Sequence, residues 1–343
     1  MVSTRAHILA VALLAALPAS IASAQSPADF YKGRTVELYV GYSVGGAYDL
    51  YARTIARHLG RHIPGNPTVI VKNMEGGGSL RLANWLYRVA PKDGSVMATI
   101  GRGTGFDPIL GQAGAQFDGT KFTWIGSANN EVSVCVAWNA TSGVTKFEDL
   151  LTKEITVGGT SMSADTDQFA KVIDGVFGAK MRIVSGYPGG NNVVLAMERG
   201  EVQGRCGWSW SSIMSTHKAW IDEKKITVLI QLALHKHPDL PNVPLIMDLA
   251  KTDEQKQILK LIFARNTMGR PYLAPPGIPA DRAAALRQAF MDTMNDKDFL
   301  ADAEKEKLEI TPVDGADLQN LVAEVYATPA AIEKKAAALL NGK

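Results

Sequence analysis

Two cysteines in 343 residues are too few to frame a small disulfide-built fold. Charge of one sign is also missing: 36 Lys and Arg stand against 34 Asp and Glu, with no basic block. That excludes the electrostatic footprint of a nucleic-acid binder and a polybasic membrane contact. Neither the H-E-x-x-H helix of zinc hydrolases nor the G-x-S-x-G elbow of serine hydrolases occurs. The nearest approaches are weak. His58 and His62 are four apart without the glutamate, and read as solvated. His235 and His237 stand beside Pro238 in a proline-rich linker. Ser209, in Gly207-Trp208-Ser209-Trp210-Ser211, falls one residue short of an elbow. Gly101-Arg102-Gly103-Thr104-Gly105 lacks the spacing of a dinucleotide turn. No catalytic residue, metal site or cofactor is therefore expected. After the N-terminal segment no uncharged run reaches the ~18 residues of a membrane span.

The N-terminus carries Arg5 and His7, an apolar run from Ile8, Pro18, and the small residues Ala22-Ser23-Ala24. This three-part pattern predicts an export signal over residues 1–24, cleaved after Ala24, and a periplasmic mature protein. Export lowers the weight of nucleotide-dependent chemistry and permits disulfides. Cys135 and Cys206 either pair, closing a long loop for about 4 kcal/mol, or remain two buried free thiols.

The mature chain alternates strand-like and helix-like segments, as in "TVELYVGY" followed by a helix with Leu50, Tyr51, Ile55 and Leu59 on one face. Repeated units of this kind predict an α/β fold with doubly wound, mostly parallel sheets flanked by helices. "FTWIGSANNEVSVCVAWN" gives two strands with no long helix between them, a crossing into a second domain. Four strands end in small or hydroxyl-rich turns: Ser43 to Asp49, Gly76 to Ser79, Gly159 to Asp165, and Tyr187 to Asn192. A helix starting at such a turn exposes unpaired N–H groups that receive anions. One turn alone does no more than cap its helix. Four in an exported two-domain chain point to a shared anion site beyond the strand ends.

The order of these motifs resembles the tripartite tricarboxylate transporter receptors, the Bug family of solute-binding proteins. The resemblance is carried by "YVGYSVGGAYDLYAR", "VIVKNMEGGGSLRLAN", Ala90-Pro91-Lys92-Asp93-Gly94, Gly159-Thr160-Ser161-Met162-Ser163, Tyr187-Pro188-Gly189-Gly190 with "ERGEVQGRCGW", and Leu273 to Pro279. It implies a two-domain periplasmic-binding-protein type II (Venus flytrap) fold. Its first domain would comprise residues 25–125 and 241–343, its second 126–240, with the ligand cleft between them. It implies a monomer that captures a small organic acid by closure and delivers it to the membrane subunits of a tripartite transporter. Carried over, the carboxylate pincer is Tyr42, Ser43, Gly45, Gly46, Ala47, Tyr48 and Asp49 against Tyr187, Gly189, Gly190 and Asn191. Thr160, Ser161 and Ser163 stand beside it, Gly103 and Thr104 fall in a cleft loop, and Trp208 ends a strand nearby.

Several residues depart from the family pattern. Ser43-Val44 replace prolines, Ala47 and Tyr48 replace Gly and Thr, and Tyr187-Pro188 reverses the usual order. The segment 247–266 looks long. Tyr42, Tyr48 and Trp208 either suit a ring or a longer apolar acid, or pack in the core. An exported hydrolase or esterase and a binding protein acting as a signalling receptor are the competing functions.

Overall fold

The computed structural model describes residues 25–341, so the export segment read at 1–24 lies outside it. A short helix α1 (Pro27–Tyr31) leads into β1 (Thr35–Val40), α2 (Ala47–Leu59), β2 (Thr68–Asn73), α3 (Leu80–Arg88) and β3 (Val96–Thr99). β4 (Thr123–Ser127) and β5 (Ser133–Trp138) follow, then β6 (Ile155–Gly158), α4 (Asp165–Phe177), β7 (Met181–Val184) and α5 (Gly190–Glu198). β8 (Gly204–Ser209), α6 (Trp210–Thr216), α7 (Lys218–Asp222) and β9 (Ile226–Leu232) come next. The described chain ends with α8 (Asp253–Phe263), β10 (Pro271–Ala274), α9 (Ala280–Met294), α10 (Lys297–Lys305), β11 (Val313–Asp314), α11 (Gly315–Tyr326) and α12 (Ala330–Asn341).

These elements form two mixed α/β sheets flanked by helices. The first has the strand order β11-β4-β10-β3-β1-β2, the second β7-β6-β8-β5-β9. β1 runs parallel to β2 and β3, whereas β10 runs antiparallel to β3 and β4. In the second sheet β6 is parallel to β7 and β8, and β5 is antiparallel to β8 and β9. The antiparallel strands stand where the chain passes between the sheets.

Local sequence explains each layer. β1 alternates, so Val36, Leu38 and Val40 are fully buried on one face while Glu37 and Tyr39 are half-buried on the other, Tyr39 against Trp85 of α3. α2 lays Tyr51, Ile55 and Leu59 on that face at helical spacing. β5 sits between two strands, and its apolar run is buried almost end to end.

Two stretches of chain join the lobes and hydrogen-bond to each other. Ala128 N–H donates to the Arg270 carbonyl at 3.0 Å, Gly269 N–H to Asn129 at 2.9 Å, and Glu131 N–H to Asn266 at 2.8 Å. Cys135 and Cys206 are disulfide-bonded, tying β5 to β8. The long 247–266 segment contains α8, opened by a Thr252–Gln255 capping box. Its apolar face rests on α4 with that of α12, and Phe263 meets Phe169 at 4.8 Å between ring centroids. A stretch that reads as charged in sequence thus covers the second lobe.

His58 and His62 are not the solvated pair expected. His58 is buried and bonds Asp302 at 2.8 Å, and His62 bonds Asp296 at 2.9 Å, docking α2 on α10. The i, i+4 face that might have held a metal is occupied by helix packing.

Candidate ligand-binding cleft

The first turn rises from β1 into α2. Gly45 adopts φ +79°, a left-handed backbone suited to glycine. Gly46 then caps α2 without any side-chain hydrogen bond. Asp49 accepts from the Gly45 N–H at 2.8 Å, from Arg53 at 2.9 Å and from Asn73 at 2.9 Å. Burial alone would raise its carboxyl; those donors win and hold it below the ordinary range. On the second lobe Gly189 caps α5, again with no side-chain cap. Both helices therefore present free N–H groups and the positive ends of their dipoles.

The two turns meet. A Cβ on Gly45 would lie 3.4 Å from Asn191 Nδ2, and one on Gly189 would run into Ser43 Oγ. A second seam lies beside the first. Ser163 Oγ donates to the Gly77 carbonyl at 2.8 Å, and Gly78 lies against Ser161 and Ala164. Turns from the two sheets are thus in direct contact along both seams.

Between them is a cavity of about 70 Å³. Tyr42, Ser43, Gly46, Ala47, Tyr48 and Arg102 line it from the first lobe. Thr160, Asp165, Gly190, Asn191, Arg205, Trp208 and His217 line it from the second.

Arginines dominate its electrostatics. Arg102 is 2% exposed and bridges the lobes, with Nε on Asp165 and Nη2 on Ser133 Oγ at 2.8 Å. Arg265 also bonds Asp165, at 3.1 Å, and Arg270 lies 3.3 Å from Glu131. Arg205 has no carboxylate partner among the described residues. It donates only to the Gly190 carbonyl at 3.2 Å and stacks on Trp208, 4.6 Å from the ring centroid. Its Nε and Arg102 Nη1 are buried without partners. Burial, with Arg102 and Arg270 nearby, pushes the Arg205 guanidinium down to about 9 against the opposing pull of Tyr42. Burial and then Arg205 push His217 down to about 4, so its ring is neutral at pH 7. Burial pushes the Asp107 carboxyl up, well above the carboxylate range, against the pull of Arg265.

The structure brings Tyr42, Ser43, Gly46, Ala47, Tyr48, Thr160, Gly190, Asn191 and Trp208 together around the cavity. Other candidates lie outside its lining. Gly45 and Gly189 form the turn-to-turn contact, and Asp49 braces the first turn from behind. Ser161 and Ser163 belong to the second seam. Gly103 makes room for the Arg265 guanidinium, and Thr104 Oγ1 donates to the Gly78 carbonyl at 3.3 Å. Burial and then Glu201 raise the Tyr187 hydroxyl, which faces Glu201. The aromatic residues are mostly spent on packing. Tyr48 lies under Arg270 at 4.8 Å, Tyr42 stacks on Tyr48 at 4.7 Å, and Trp208 is 2% exposed.

Solved structures share this architecture. The periplasmic binding protein BugD matches with TM-score 0.72 and 18% identity, covering 89% of this chain and 98% of that one. MatC from Rhodopseudomonas palustris, solved with bound malate, matches with TM-score 0.69 and 16% identity over 88% of this chain and 99% of its own. An R. palustris protein solved with adipate gives TM-score 0.68 and 17% identity over 88% of this chain and 97% of its own. The chain has the fold of the Bug periplasmic binding proteins. A curated relative, described as "UPF0065 protein in gbd 5'region" of Cupriavidus necator, is 35% identical over 100 residues. That match spans 28% of this chain and 30% of the relative. No protein-family model matches the chain.

On this Bug-type frame the charged residues are what sequence reading missed: Arg102, Asp165, Arg205 and His217. Two signals were available. Arg205 is a lone charge in the strand run "GRCGWS", where its neighbours alternate small and apolar. Arg102 directly precedes Gly103 and Thr104, which the sequence places in a cleft loop, so its position in that loop was the other signal.

Proposed function

We propose that the protein is a periplasmic receptor that captures a small organic acid by domain closure and does no chemistry on it. It then delivers the acid to the membrane subunits of a tripartite tricarboxylate-type transporter. In this reading, after removal of the signal at 1–24, the chain crosses between the lobes at the paired stretches 128–131 and 266–270, so the 241–266 part of the 241–343 segment expected in the first lobe goes with 126–240 instead. The observation that carries it is Arg205, a cavity-lining cation without a counter-charge, set between the unclaimed N-termini of α2 and α5. Arg205 is half-buried, with its Nε buried and unpartnered; an unpaired charge held partly out of water is costly, and a carboxylate entering the cavity supplies the partner. The fold neighbours solved with malate and adipate support an acid as ligand. Charge-assisted hydrogen bonds contribute roughly 1.5–3 kcal/mol each, so a few reach the about −8 kcal/mol of micromolar binding.

A thermal-shift screen of mono-, di- and aromatic carboxylates tests the reading. An acid at a hundred times its Kd stabilises by about 2.7 kcal/mol, a shift of several degrees. If no organic anion at millimolar concentration moves the midpoint, the protein is not a carboxylate receptor.

A further inference from the structure

α12 stands on the lobe opposite to the one its place in the chain predicts. α11 packs on β4 of the first sheet, whereas α12 packs on α4 and α8, over the second. Pro329 favours an extended Thr328, so the chain turns at 327–329 instead of prolonging α11. α12 buries Ala336 and Leu340 completely. Its Leu339 fills the space that Gly175 leaves on α4. Lys335 pairs with Glu254 of α8, and Lys171 of α4 donates to the Leu340 carbonyl at 2.6 Å. The end of the helix faces the other lobe. Asn341 Nδ2 donates to the Leu110 carbonyl at 3.0 Å, and Gln112 Nε2 donates to Asn341 Oδ1 at 3.2 Å. The 110–112 loop belongs to the first lobe, because Asn84 of α3 holds its continuation through the Gly114 carbonyl and the Gln116 N–H, both at 2.8 Å. Gly111, at φ +66°, lets the loop lie against Ala337 and Asn341.

We propose that α12 is a strap between the lobes: it travels with the second lobe, and Asn341 latches it to the 110–112 loop of the first only when the lobes meet. The proposal rests on the lobe closure of the proposed function, not on what ligand is bound. Opening must break one of two attachments. Peeling α12 from α4 and α8 would expose Ala336, Leu339 and Leu340 to water. Releasing Asn341 returns a few polar groups to solvent, where water replaces their partners. Each such bond shifts an equilibrium by a factor of only about two to thirteen. The latch is therefore the attachment that gives way, and 327–329 becomes a third crossing beside 128–131 and 266–270. The latch also continues the second seam. Gly111, Gln112 and Asn341 line one surface pocket of about 360 Å³ with Gly77, Ser161 and Ser163. None of them lines the ligand cavity. The strap thus favours the closed form without touching a ligand, and sets how much of the closing free energy the ligand must supply.

Pulsed electron resonance distances on the ligand-free mature protein test this, with spin labels on introduced cysteines. Cys135 and Cys206 are buried in their disulfide and take no label. Val89→Cys after α3 and Leu195→Cys on α5 are exposed sites that report the separation of the lobes. Lys334→Cys, exposed on α12, reports the strap against either lobe. The Lys334–Leu195 distance should stay single while the Lys334–Val89 distance follows that between Val89 and Leu195. Asn341→Ala should raise the ratio of long to short Val89–Leu195 distances at least threefold. Gln112→Ala should shift it the same way, and the two together no further than Asn341→Ala alone, since they remove one contact. Lys335→Ala loosens α12 only against α8 and should leave the ratio unchanged. A merely structural Asn341 gives a lower melting midpoint with wild-type distances, and that result overturns the latch. A fixed Lys334–Val89 distance beside a varying Lys334–Leu195 distance overturns the strap, because α12 then moves with the first lobe. A thermal screen in which no carboxylate binds removes the acid receptor but leaves these distances standing, since no ligand enters their measurement.

Discussion

Gly78→Ala separates closure from folding. Gly78 lies in the turn that opens α3, at φ +63°. Its missing side chain would point across the seam, 2.5 Å from Ser161 Oγ, 2.9 Å from Ala164 Cβ and 3.3 Å from the Ala164 backbone nitrogen. The Ser161 hydroxyl can rotate away. The Ala164 Cβ and nitrogen are fixed to the start of α4, so the overlap there persists. One extra methyl in a packed contact costs about 1–3 kcal/mol. This overlap exists only when the lobes touch, so it appears in ligand affinity, as a loss of about five- to 140-fold at 1.4 kcal/mol per decade. The left-handed backbone adds about 1–2 kcal/mol for a residue with a Cβ. That cost is shared by open and closed forms and lowers the melting midpoint without changing Kd. Gly77→Ala is the control. It has φ +58°, and its nearest neighbour would be Leu80 Cβ of its own lobe at 3.3 Å. It should lose stability and keep its affinity. Calorimetric Kd and thermal midpoints of both variants decide the matter. A Gly78→Ala protein that melts lower but binds within twofold of wild type would refute closure through this seam.

Two more expectations concern stability. Cys135 and Cys206 are 71 residues apart in sequence, a loop whose closure is worth about 4 kcal/mol in the chain-entropy model. The double alanine variant should therefore show a clearly lower urea midpoint, and an unchanged one would show that the bond contributes little. His217 has its folded pKa depressed from 6.5 to about 4. The unfolded chain then binds the extra proton first as pH falls, so stability present above pH 6.5 drains away between pH 6.5 and 4. In His217→Gln that part of the acid slope should disappear, while a slope equal to wild type would place its origin elsewhere.

Much of the architecture was legible because it rests on short-range patterns. Val36, Leu38 and Val40 alternate, and Tyr51, Ile55 and Leu59 recur at helical spacing, so β1 and α2 could be read directly. Gly46 and Gly189 mark helix starts by the same local logic. The antiparallel strand β10 and the docking of α8 on α4 were not legible. They depend on which distant segment lies alongside, and a charged surface with one apolar stripe does not name its partner. The same limit applied to Asp49, which lies outside the cavity lining and braces the first turn, and to the second part played by Trp208, which lines the cavity and also carries Arg205 on its ring.

What the sequence by itself determined was a pair of glycine turns, each delivering a helix N-terminus beyond a strand end. That follows from backbone conformation, which neighbouring residues dictate. Only the tertiary structure decided that Ser43 faces Gly189, that Asp165 is consumed by Arg102 and Arg265, and that Arg205 is left without an acid. Charge pairing is a property of distance in space. An arginine in a strand carries no mark of whether its counter-ion belongs to the protein or must arrive with the ligand.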